Sequence, residues 1–354
     1  MYIKINKEQI ILSKRKQFQF SWNRAKGYVM SYLKNRVIWY YFPRLHILTK
    51  FPTHVDLEIS TACNLSCPMC YTLSNAFKKS VKRQFMDFDL FKKLVDECVR
   101  YNAYSIRISL RGEPFIHPDV IEMIRYAKNA GIKEVSSLTN NHRLTPDMFE
   151  QAMEAGLDWL TISFDGLGET YERIRKPAKF NESFNKIKEY KRIKNDASSV
   201  KPVLKVQSIW PAIKECVDEY YNLFEPYVDM VASNTMIDNL RKDENIKYIE
   251  NFDCPVLYQR LAVGSDGRVL LCSNDAAGEY IIGDVNNDDT LYSIWHGEKI
   301  GRARQLHRLH RGYMEIEPCK NCFLPRRTIP TVETIGDREI TVDKYVGRTD
   351  EIGK

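Results

Sequence analysis

The sequence predicts an α/β fold in which repeated βα units build a parallel sheet, followed by a small C-terminal domain. From residue 54 onward, short apolar segments alternate with amphipathic helical segments at intervals of about 25 to 45 residues. This alternation is typical of βα units. After about residue 240 the pattern changes to a polar stretch and a hairpin-like segment, in a region that holds four of the nine cysteines. The 354 residues suffice for one large domain and one smaller one.

Six βα units can be counted along the first region. The predicted strands are His54 to Ser60, Tyr104 to Leu110, Glu134 to Thr139, Trp159 to Asp165, Pro202 to Ile209 and Val228 to Ser233. The predicted helices are Asp87 to Tyr101, Pro118 to Ala130, Thr145 to Ala155, Asn181 to Lys194 and Lys214 to Phe224. In parallel βα folds the chemistry gathers at the carboxyl ends of the strands, so the loops after these strands are the places to search.

Residue types at the ends of several segments support these boundaries. Thr145 followed by Pro146 is a favoured helix start, and Gly131 and Gly156 follow apolar helical runs as stop signals. In the C-terminal region, the segment YQRLAVGSDGRVLLC predicts a hairpin whose turn contains Asp266 and Gly267. This region has little periodic apolar content, so we expect a metal or cluster to support its core.

The first 50 residues carry the positive charge of the chain. They contain eleven Lys or Arg and one acidic residue, Glu8, whereas the whole chain has a net charge of +7. Aromatic residues lie between the basic ones, which is compatible with contact to an anionic membrane surface or another polyanion. The alternative is a helical extension whose aromatic face packs on the main domain. The predicted domains are residues 1–50 (basic helical extension), 51–240 (main α/β domain), 241–327 (cysteine-containing domain) and 328–354 (polar tail).

Nothing in the composition indicates a secreted or membrane-spanning protein. The hydrophobic content is 44%, the charged content is 28%, and the longest apolar run near the start, Val37 to Phe42, is too short to cross a bilayer. No secretory signal pattern is present, and the cysteines do not form a small disulfide scaffold. We therefore expect a cytoplasmic protein, with peripheral membrane contact as an open alternative, and no specific recognition of nucleic acid.

Three cysteines follow the first predicted strand directly. Cys63, Cys67 and Cys70 have the spacing Cx3Cx2C in the segment CNLSCPMC. Structural zinc sites are closed by four ligands, whereas a cubane iron-sulfur cluster held by three Cys leaves one iron open. The spacing favours the cluster.

This cysteine segment resembles the signature loop of the radical S-adenosylmethionine (SAM) superfamily. The resemblance implies a partial (βα)6 barrel and a [4Fe-4S] cluster whose open iron binds the amino and carboxylate groups of SAM. It also implies reductive cleavage of SAM to a 5′-deoxyadenosyl radical, with a reductant such as flavodoxin or ferredoxin as electron donor. Met69 and Tyr71 would then flank the cluster and the adenine.

Further segments at the ends of later strands match the same family. In LRGEP, Gly112, Glu113 and Pro114 resemble the GGEP-type motif that holds the methionine amino group, with Arg111 in place of the usual first glycine. Glycine allows close backbone approach, and a carboxylate can accept from an ammonium group. The third strand ends in LTNN, which is similar to the TNG-type turn and offers Asn140.

The fourth strand ends in TISFDG, which resembles the SxDG segment of the same enzymes. The resemblance implies that Ser163 contacts the ribose and that Arg175 contacts the methionine carboxylate, a role that suits a planar cation with several donors. Asp165 is expected to be a turn residue or a support for its neighbours.

A second group of cysteines lies in the C-terminal region. Its members are Cys254, Cys272, Cys319 and Cys322. By spacing alone, four thiolates fit a structural zinc as well as a cluster. The pattern resembles the SPASM or twitch extension of radical SAM enzymes, which implies one auxiliary [4Fe-4S] cluster, because no cysteine follows Cys322. A fully ligated cluster suits electron transfer rather than direct contact with substrate.

Together these motifs imply a radical SAM oxidoreductase. The leading hypothesis is oxidation of an alcohol on a sugar-like or aminocyclitol-like small molecule, with the auxiliary cluster as electron acceptor. The alternatives are a SPASM-type enzyme that modifies a peptide or protein, and a non-catalytic iron-sulfur or zinc protein. Alcohol oxidation needs a base, and Lys205 is the candidate, provided that burial lowers its pKa; Gln207 and Asn234 mark the same region.

Overall fold

The computed structural model describes residues 10–11, 14–234, 246–287, 289–335 and 338–346. The strands are β1 (Ile10–Ile11), β2 (His54–Leu57), β3 (Ser105–Arg107), β4 (Glu134–Thr139), β5 (Trp159–Ser163), β6 (Val203–Ile209), β7 (Met230–Asn234), β8 (Arg260–Val263), β9 (Arg268–Leu270), β10 (Ile281–Asp284), β11 (Thr328–Ile335) and β12 (Arg338–Tyr345). The α-helices are α1 (Lys14–Ala25), α2 (Val29–Tyr41), α3 (Asn75–Ser80), α4 (Phe88–Arg100), α5 (Val120–Ala130), α6 (Pro146–Glu154), α7 (Gly168–Ile174), α8 (Phe180–Asp196), α9 (Val217–Phe224), α10 (Leu291–Trp295), α11 (Glu298–Arg308), α12 (Gly312–Glu315) and α13 (Glu317–Lys320).

Six parallel strands, β2 to β7, lie side by side in chain order, which confirms the predicted fold class. Each predicted strand is present, and the observed strands are shorter by a few residues in most cases. Helices cross from each strand to the next, as parallel pairing requires. The sheet thus forms the partial barrel, and the carboxyl ends of all six strands meet at one edge.

The outer face of these strands carries the hydrophobic core. Leu57, Ile106 and Leu160 are fully buried and pack in one cluster with helix residues such as Phe91 and Phe149. Because successive side chains of a strand point to opposite faces, the residues between them line the inside of the barrel. The two faces differ in chemistry, since the inner one is largely polar.

A network of charges occupies the inner face. Asp56 of β2 is fully buried and contacts Arg107 Nε at 2.8 Å, His54 Nε2 at 3.0 Å and Arg260 Nη1 at 3.4 Å. Although burial opposes ionisation, these cations hold the pKa of Asp56 well below its usual range. The network joins the central strand β2 to its neighbours β3 and β8.

The basic N-terminal extension closes the amino ends of the strands. Arg24 of α1 makes a bidentate pair with Glu134, the first residue of β4, with distances of 3.1 and 2.7 Å. Its guanidinium lies 4.1 Å from the ring centroid of Trp159, the first residue of β5, and Phe20 packs edge-on against the same ring. The extension therefore lies at the end of the barrel opposite the cysteine loop.

The C-terminal region continues the same sheet. The predicted hairpin is present as β8 and β9, and β8 pairs in parallel with β2. The cysteine-containing region is thereby joined to the barrel by backbone hydrogen bonds. The segment expected to be a polar tail contains an antiparallel hairpin, β11 to β12, which the sequence prediction omitted. The predicted boundary near residue 240 and residues 347–354 lie outside the described residues.

Candidate functional site

The first cysteine loop leaves the carboxyl end of β2. The three thiols are free, and the backbone N–H of Cys70 donates to the carbonyl oxygen of Cys67 at 3.0 Å, which turns the loop. Burial raises the pKa of Cys67 to about 11, and the neighbouring thiols of Cys70 and Cys63 act in the same direction. The three thiols therefore influence one another's ionisation.

The GEP segment after β3 packs directly against this loop. The backbone N–H groups of Gly112 and Glu113 donate to the carbonyl oxygens of Ser60 and Ala62 at 3.2 and 2.8 Å. A Cβ atom on Gly112 would collide with both carbonyl oxygens. Glycine at this position is therefore required for the close approach of the two segments.

Glu113 joins the ends of β3 and β4. Its Oε1 accepts from the Phe115 N–H at 3.1 Å and from the Thr139 hydroxyl at 2.9 Å, while Oε2 accepts from the Asn140 N–H at 2.6 Å. Burial raises the pKa of Glu113 to about 7, against the effect of these donors. Oε2 retains a lone pair for a further donor.

Asn140 reaches the cysteine loop with its side chain. Its Nδ2 lies 3.6 Å from Cys63 Sγ and donates to Asn64 Oδ1 at 3.0 Å. The sequence did not single out Asn64, although its position directly after Cys63 could have indicated a role. Asn140, which directly follows β4, thus contacts the cysteine loop.

Arg175 points to the same centre and is held by Asp165. Its Nη2 lies 2.5 Å from Asp165 Oδ2, and its Nη1 lies 3.8 Å from Cys67 Sγ. Burial opposes the charge, but attraction to Asp165 raises the pKa of Arg175 above its usual value. Its buried Nε has no hydrogen-bond partner within the described part of the chain. Ser163 stands two residues before Asp165, at the end of β5.

Met69 lies within the first cysteine loop, and Tyr71 directly follows it and packs against Phe77 of α3. Met69 is buried, and the Tyr71 hydroxyl donates to the Leu110 carbonyl oxygen at 3.2 Å. Tyr71 also lines a cavity of about 690 Å³. Its ring is therefore positioned between the first cysteine loop and this cavity.

The second group of cysteines lines a single small cavity. Cys254, Cys272, Cys319 and Cys322 all border it, together with apolar side chains. Burial raises the pKa of Cys272 to about 12, with a further contribution from Cys322. The side chain of Asn274 reaches Cys322 Sγ at 3.7 Å. The four thiols thus border one cavity, and their role as ligands of a common cluster stays a prediction.

Both cysteine groups fit an iron-sulfur cluster by donor type. None of the seven cysteines is in a disulfide, and the first group offers three sulfurs with polar groups beside them. In the residues that the structure describes, no three His, Cys, Asp or Glu side chains are grouped closely enough to bind a single metal ion.

None of the described helices is long and apolar enough to span a bilayer.

The cavity of about 690 Å³ lies between the segment that follows the first cysteine loop and the second cysteine group, of which Cys322 borders it. One wall is the segment from Tyr71 to Phe77, which follows the first cysteine loop. The other wall contains Ser273 to Ala277 and the segment around Cys322. Sequence reasoning did not locate this cavity, because its two walls come from segments separated by about two hundred residues.

Lys205 lies on the inner face of the barrel rather than at the cavity wall. It is buried and donates to Gln207 Oε1 at 2.6 Å. Burial, with repulsion from Arg24, lowers the pKa of Lys205 to about 7. Lys205 is not among the residues that border the cavity, and its role as a base stays a prediction.

Two family patterns match the chain. The Radical SAM superfamily pattern matches residues 57–209, and the SPASM iron-sulfur cluster-binding domain matches residues 254–323. The chain is 32% identical to a tungsten-containing aldehyde ferredoxin oxidoreductase cofactor-modifying protein of Pyrococcus furiosus over 277 residues, 72% of each chain. It is 34% identical to an AdoMet-dependent heme synthase of Methanosarcina barkeri over 129 residues. This match covers 36% of this chain and 36% of the length of that relative.

Solved structures show the same fold at low sequence identity. The complex of BtrN with AdoMet and 2-DOIA has a TM-score of 0.55 at 17% identity and covers 78% of this chain and 94% of BtrN. Streptococcus suis SuiB bound to S-adenosylmethionine has a TM-score of 0.56 at 14% identity, with coverage of 83% and 77%. The two matched families imply [4Fe-4S] clusters and SAM as cofactors. From these matches and the strand-end site, the chain belongs to the radical SAM superfamily and carries a C-terminal SPASM domain.

Proposed function

We propose that this radical SAM enzyme oxidises an alcohol on a sugar-like or aminocyclitol-like substrate, with the second cysteine group holding the electron acceptor. The observation that carries the proposal is the cavity of about 690 Å³ between the segment that follows the first cysteine loop and the second cysteine group. A substrate there would lie beside both Tyr71, next to the first loop, and Cys322 of the second group.

The residues at the strand ends fit the cofactor. When bound, SAM and its cluster supply the radical that removes a hydrogen atom from the substrate. We assign Cys63, Cys67 and Cys70 as the ligands of that cluster. The free lone pair of Glu113 suits the methionine ammonium group, and the unpartnered Nε of Arg175 suits the carboxylate. Met69, Tyr71, Gly112, Pro114, Asn140 and Ser163 complete the proposed cofactor site.

The walls of the cavity favour a polar substrate. They offer the hydroxyl groups of Ser74 and Ser273 and the amides of Asn75, Asn274 and Asn321. Such groups can both donate and accept hydrogen bonds, as recognition of several hydroxyls requires. The relative BtrN was solved with 2-DOIA, and that likeness is one of fold.

Alcohol oxidation also needs a group that accepts the hydroxyl proton. Lys205 stays a prediction for this role, because a pKa of about 7 leaves much of it neutral near neutral pH. The carboxylates of Asp275 and Glu279 border the cavity itself and are further candidates. Burial raises the pKa of each of these two carboxyls.

The alternative within the same family is modification of a peptide. SuiB has been solved bound to its precursor peptide SuiA, and it shares the fold with this chain at 14% identity. The two alternatives differ in product. Oxidation of a small alcohol would yield a carbonyl group, whereas modification of a peptide would change the mass of the peptide, with or without formation of a carbonyl group. Both use the same two cysteine groups.

The test is anaerobic reconstitution followed by incubation with SAM, reductant and panels of aminocyclitols, sugars and linear peptides. We expect about eight irons per chain, release of 5′-deoxyadenosine and a carbonyl product from a member of the small-molecule panel. Zinc in place of iron and no nucleoside product would contradict the assignment. Nucleoside release with modification confined to peptides would overturn the proposal of alcohol oxidation.

We also propose that the outer face of α1 and α2 binds an anionic membrane surface. Of the fifteen exposed large hydrophobic side chains in the described residues, ten lie between Phe18 and Ile47. Phe18 and Trp22 on α1 and Met30, Leu33 and Val37 on α2 recur at helical spacing. Among residues 9 to 55 there is no acidic residue, so the charged side chains that the two helices themselves carry are all basic.

Vesicle sedimentation tests this membrane contact. The full chain should sediment with vesicles of phosphatidylglycerol and phosphatidylcholine and remain in solution with phosphatidylcholine alone. Replacing both Trp22 and Leu33 by Ser should abolish sedimentation, whereas replacing Leu309 and Met314, two exposed side chains elsewhere, should not. Equal binding by both double variants would contradict the proposal.

A further inference from the structure

Arg111 and Glu58 form a buried pair beside the GEP segment. Glu58 follows β2 directly, and Arg111 directly precedes Gly112. The Arg111 Nε lies 2.5 Å from Glu58 Oε1, and its Nη2 contacts Oε2 of the same carboxylate. The two side chains are only 3% and 0% exposed. This geometry uses the two-pronged face of the guanidinium that a lysine lacks.

The same pair reaches two segments of the C-terminal region. The third nitrogen of Arg111, Nη1, donates to the carbonyl oxygen of Ala276 at 3.1 Å. On the other side, the backbone N–H of Ser265 donates to Glu58 Oε2 at 3.3 Å. The pair is therefore bonded to both the β8–β9 turn and the segment that follows Cys272.

Arg111 also contacts the segment that follows the first cysteine loop. Its guanidinium lies 5.7 Å from the ring centroid of Phe77, and both Phe77 and Ala276 border the cavity. The two walls of the cavity are thus connected through one side chain. A glycine at position 111 would leave the Glu58 carboxylate and the Ala276 carbonyl without this donor.

We propose that Arg111, held by Glu58, is a positioning residue that fixes the segment Ser273 to Glu279 against the first cysteine loop. It sets the width of the cavity and the separation of the two cysteine groups. Its effect on catalysis rests on the proposed function, whereas its effect on the position of the segment does not. A buried ion pair that only stabilised the fold would have no specific influence on this segment.

The chain offers a matched control at the other end of the barrel. Arg24 and Glu134 also form a buried bidentate pair, but they lie at the amino ends of the strands. Arg24→Met removes a comparable ion pair without touching either cysteine group. Differences between Arg111→Met and Arg24→Met therefore report position rather than loss of a buried charge pair.

Hydrogen exchange of the full chain, measured by mass spectrometry, tests the positioning. In Arg111→Met, exchange in peptides spanning residues 273 to 279 should rise by about tenfold, the effect of one lost hydrogen bond on local opening. Arg24→Met should leave these peptides unchanged and raise exchange in α1 instead. Equal exchange of residues 273 to 279 in the two variants would overturn the proposal.

Turnover separates this proposal from the proposed function. Once a substrate is found, Arg111→Met should release several-fold more 5′-deoxyadenosine per oxidised product than the unchanged protein, because the wall of the cavity is displaced. Arg111→Lys, which keeps the charge but not the planar bidentate geometry, should be intermediate and serves if the Met variant does not fold. If no substrate is oxidised, the hydrogen-exchange result alone decides the positioning role. If exchange changes but the ratio of 5′-deoxyadenosine to oxidised product does not, the link to catalysis is overturned.

Discussion

Asn140 and Glu113 are joined by a 2.6 Å hydrogen bond from the Asn140 backbone N–H to Glu113 Oε2. The bond links the end of β4 to the segment after β3, and Asn140 in turn reaches Cys63 Sγ with its side chain. One carboxylate thus organises three segments that converge on the first cysteine loop.

Replacement of Glu113 by Gln should weaken SAM binding. The amide nitrogen of Gln would face one of the three donors that now bond to the carboxylate, and the negative charge offered to the methionine ammonium group would be lost. We expect an affinity lower by about tenfold or more, measured by equilibrium dialysis with the anaerobic protein. Glu122→Gln, on the exposed side of α5, is the control. Equal affinity of the two variants would argue against this role.

The two cysteine groups should divide the work. Cys67→Ala should lose about half of the iron and all cleavage of SAM, because that site needs three thiolates. Cys319→Ala should lose a similar share of iron but retain cleavage, while substrate oxidation stops. Iron analysis and chromatography of 5′-deoxyadenosine check both statements. Normal oxidation by Cys319→Ala would show that the second group is not the electron acceptor.

The pair of Arg24 and Glu134 should contribute strongly to stability. Arg24→Met leaves the Glu134 carboxylate buried without its cation, which should lower the free energy of unfolding by about 3–5 kcal/mol. Urea denaturation measures this, with Lys26→Met, an exposed neighbour, as the control. The double variant with Glu134→Gln should recover part of the loss, and simple additivity of the two losses would contradict direct coupling.

The same pair predicts a loss of stability in acid. Burial disfavours the charge of Glu134, but attraction to Arg24 holds its pKa below the ordinary value. The stabilisation is therefore fully present above the ordinary pKa of a glutamate and is lost as pH falls through the native pKa. Glu134→Gln should be less stable at neutral pH and should show a flatter decline in acid, as measured by denaturation at several pH values.

Lys205 predicts a pH dependence on the alkaline side. Its pKa is lowered from 10.5 to about 7 in the folded protein, mainly by burial. Between these values the unfolded chain binds a proton that the native protein does not, so the free energy of unfolding should rise with pH in this window. Lys205→Met should remove that rise, whereas Lys214→Met, an exposed lysine, should keep it. The same slope in both variants would contradict the native pKa of Lys205.

The local sequence pattern was sufficient to predict the six parallel strands and to identify both groups of cysteines. Strand and helix periods are set by burial of alternate or every third to fourth side chain, so they can be seen along the chain. Cys63, Cys67 and Cys70 are close in sequence, and their loop needs little tertiary information. The hairpin β11–β12 also shows alternation in its sequence, and it was missed because its polar composition suggested a tail.

Contacts between distant segments were decided by the tertiary structure alone. Sequence pattern could not indicate that Arg111 bonds to Ala276, that Asp165 holds Arg175, or that Lys205 lies beneath Gln207 instead of in the cavity wall. These pairings depend on which strands become neighbours and on how far side chains reach across the barrel. By itself, the sequence determined the family chemistry, because that chemistry resides in short motifs at strand ends. Only folding decided the cavity between the segment after the first cysteine loop and the second cysteine group, because its walls meet through the pairing of β2 with β8.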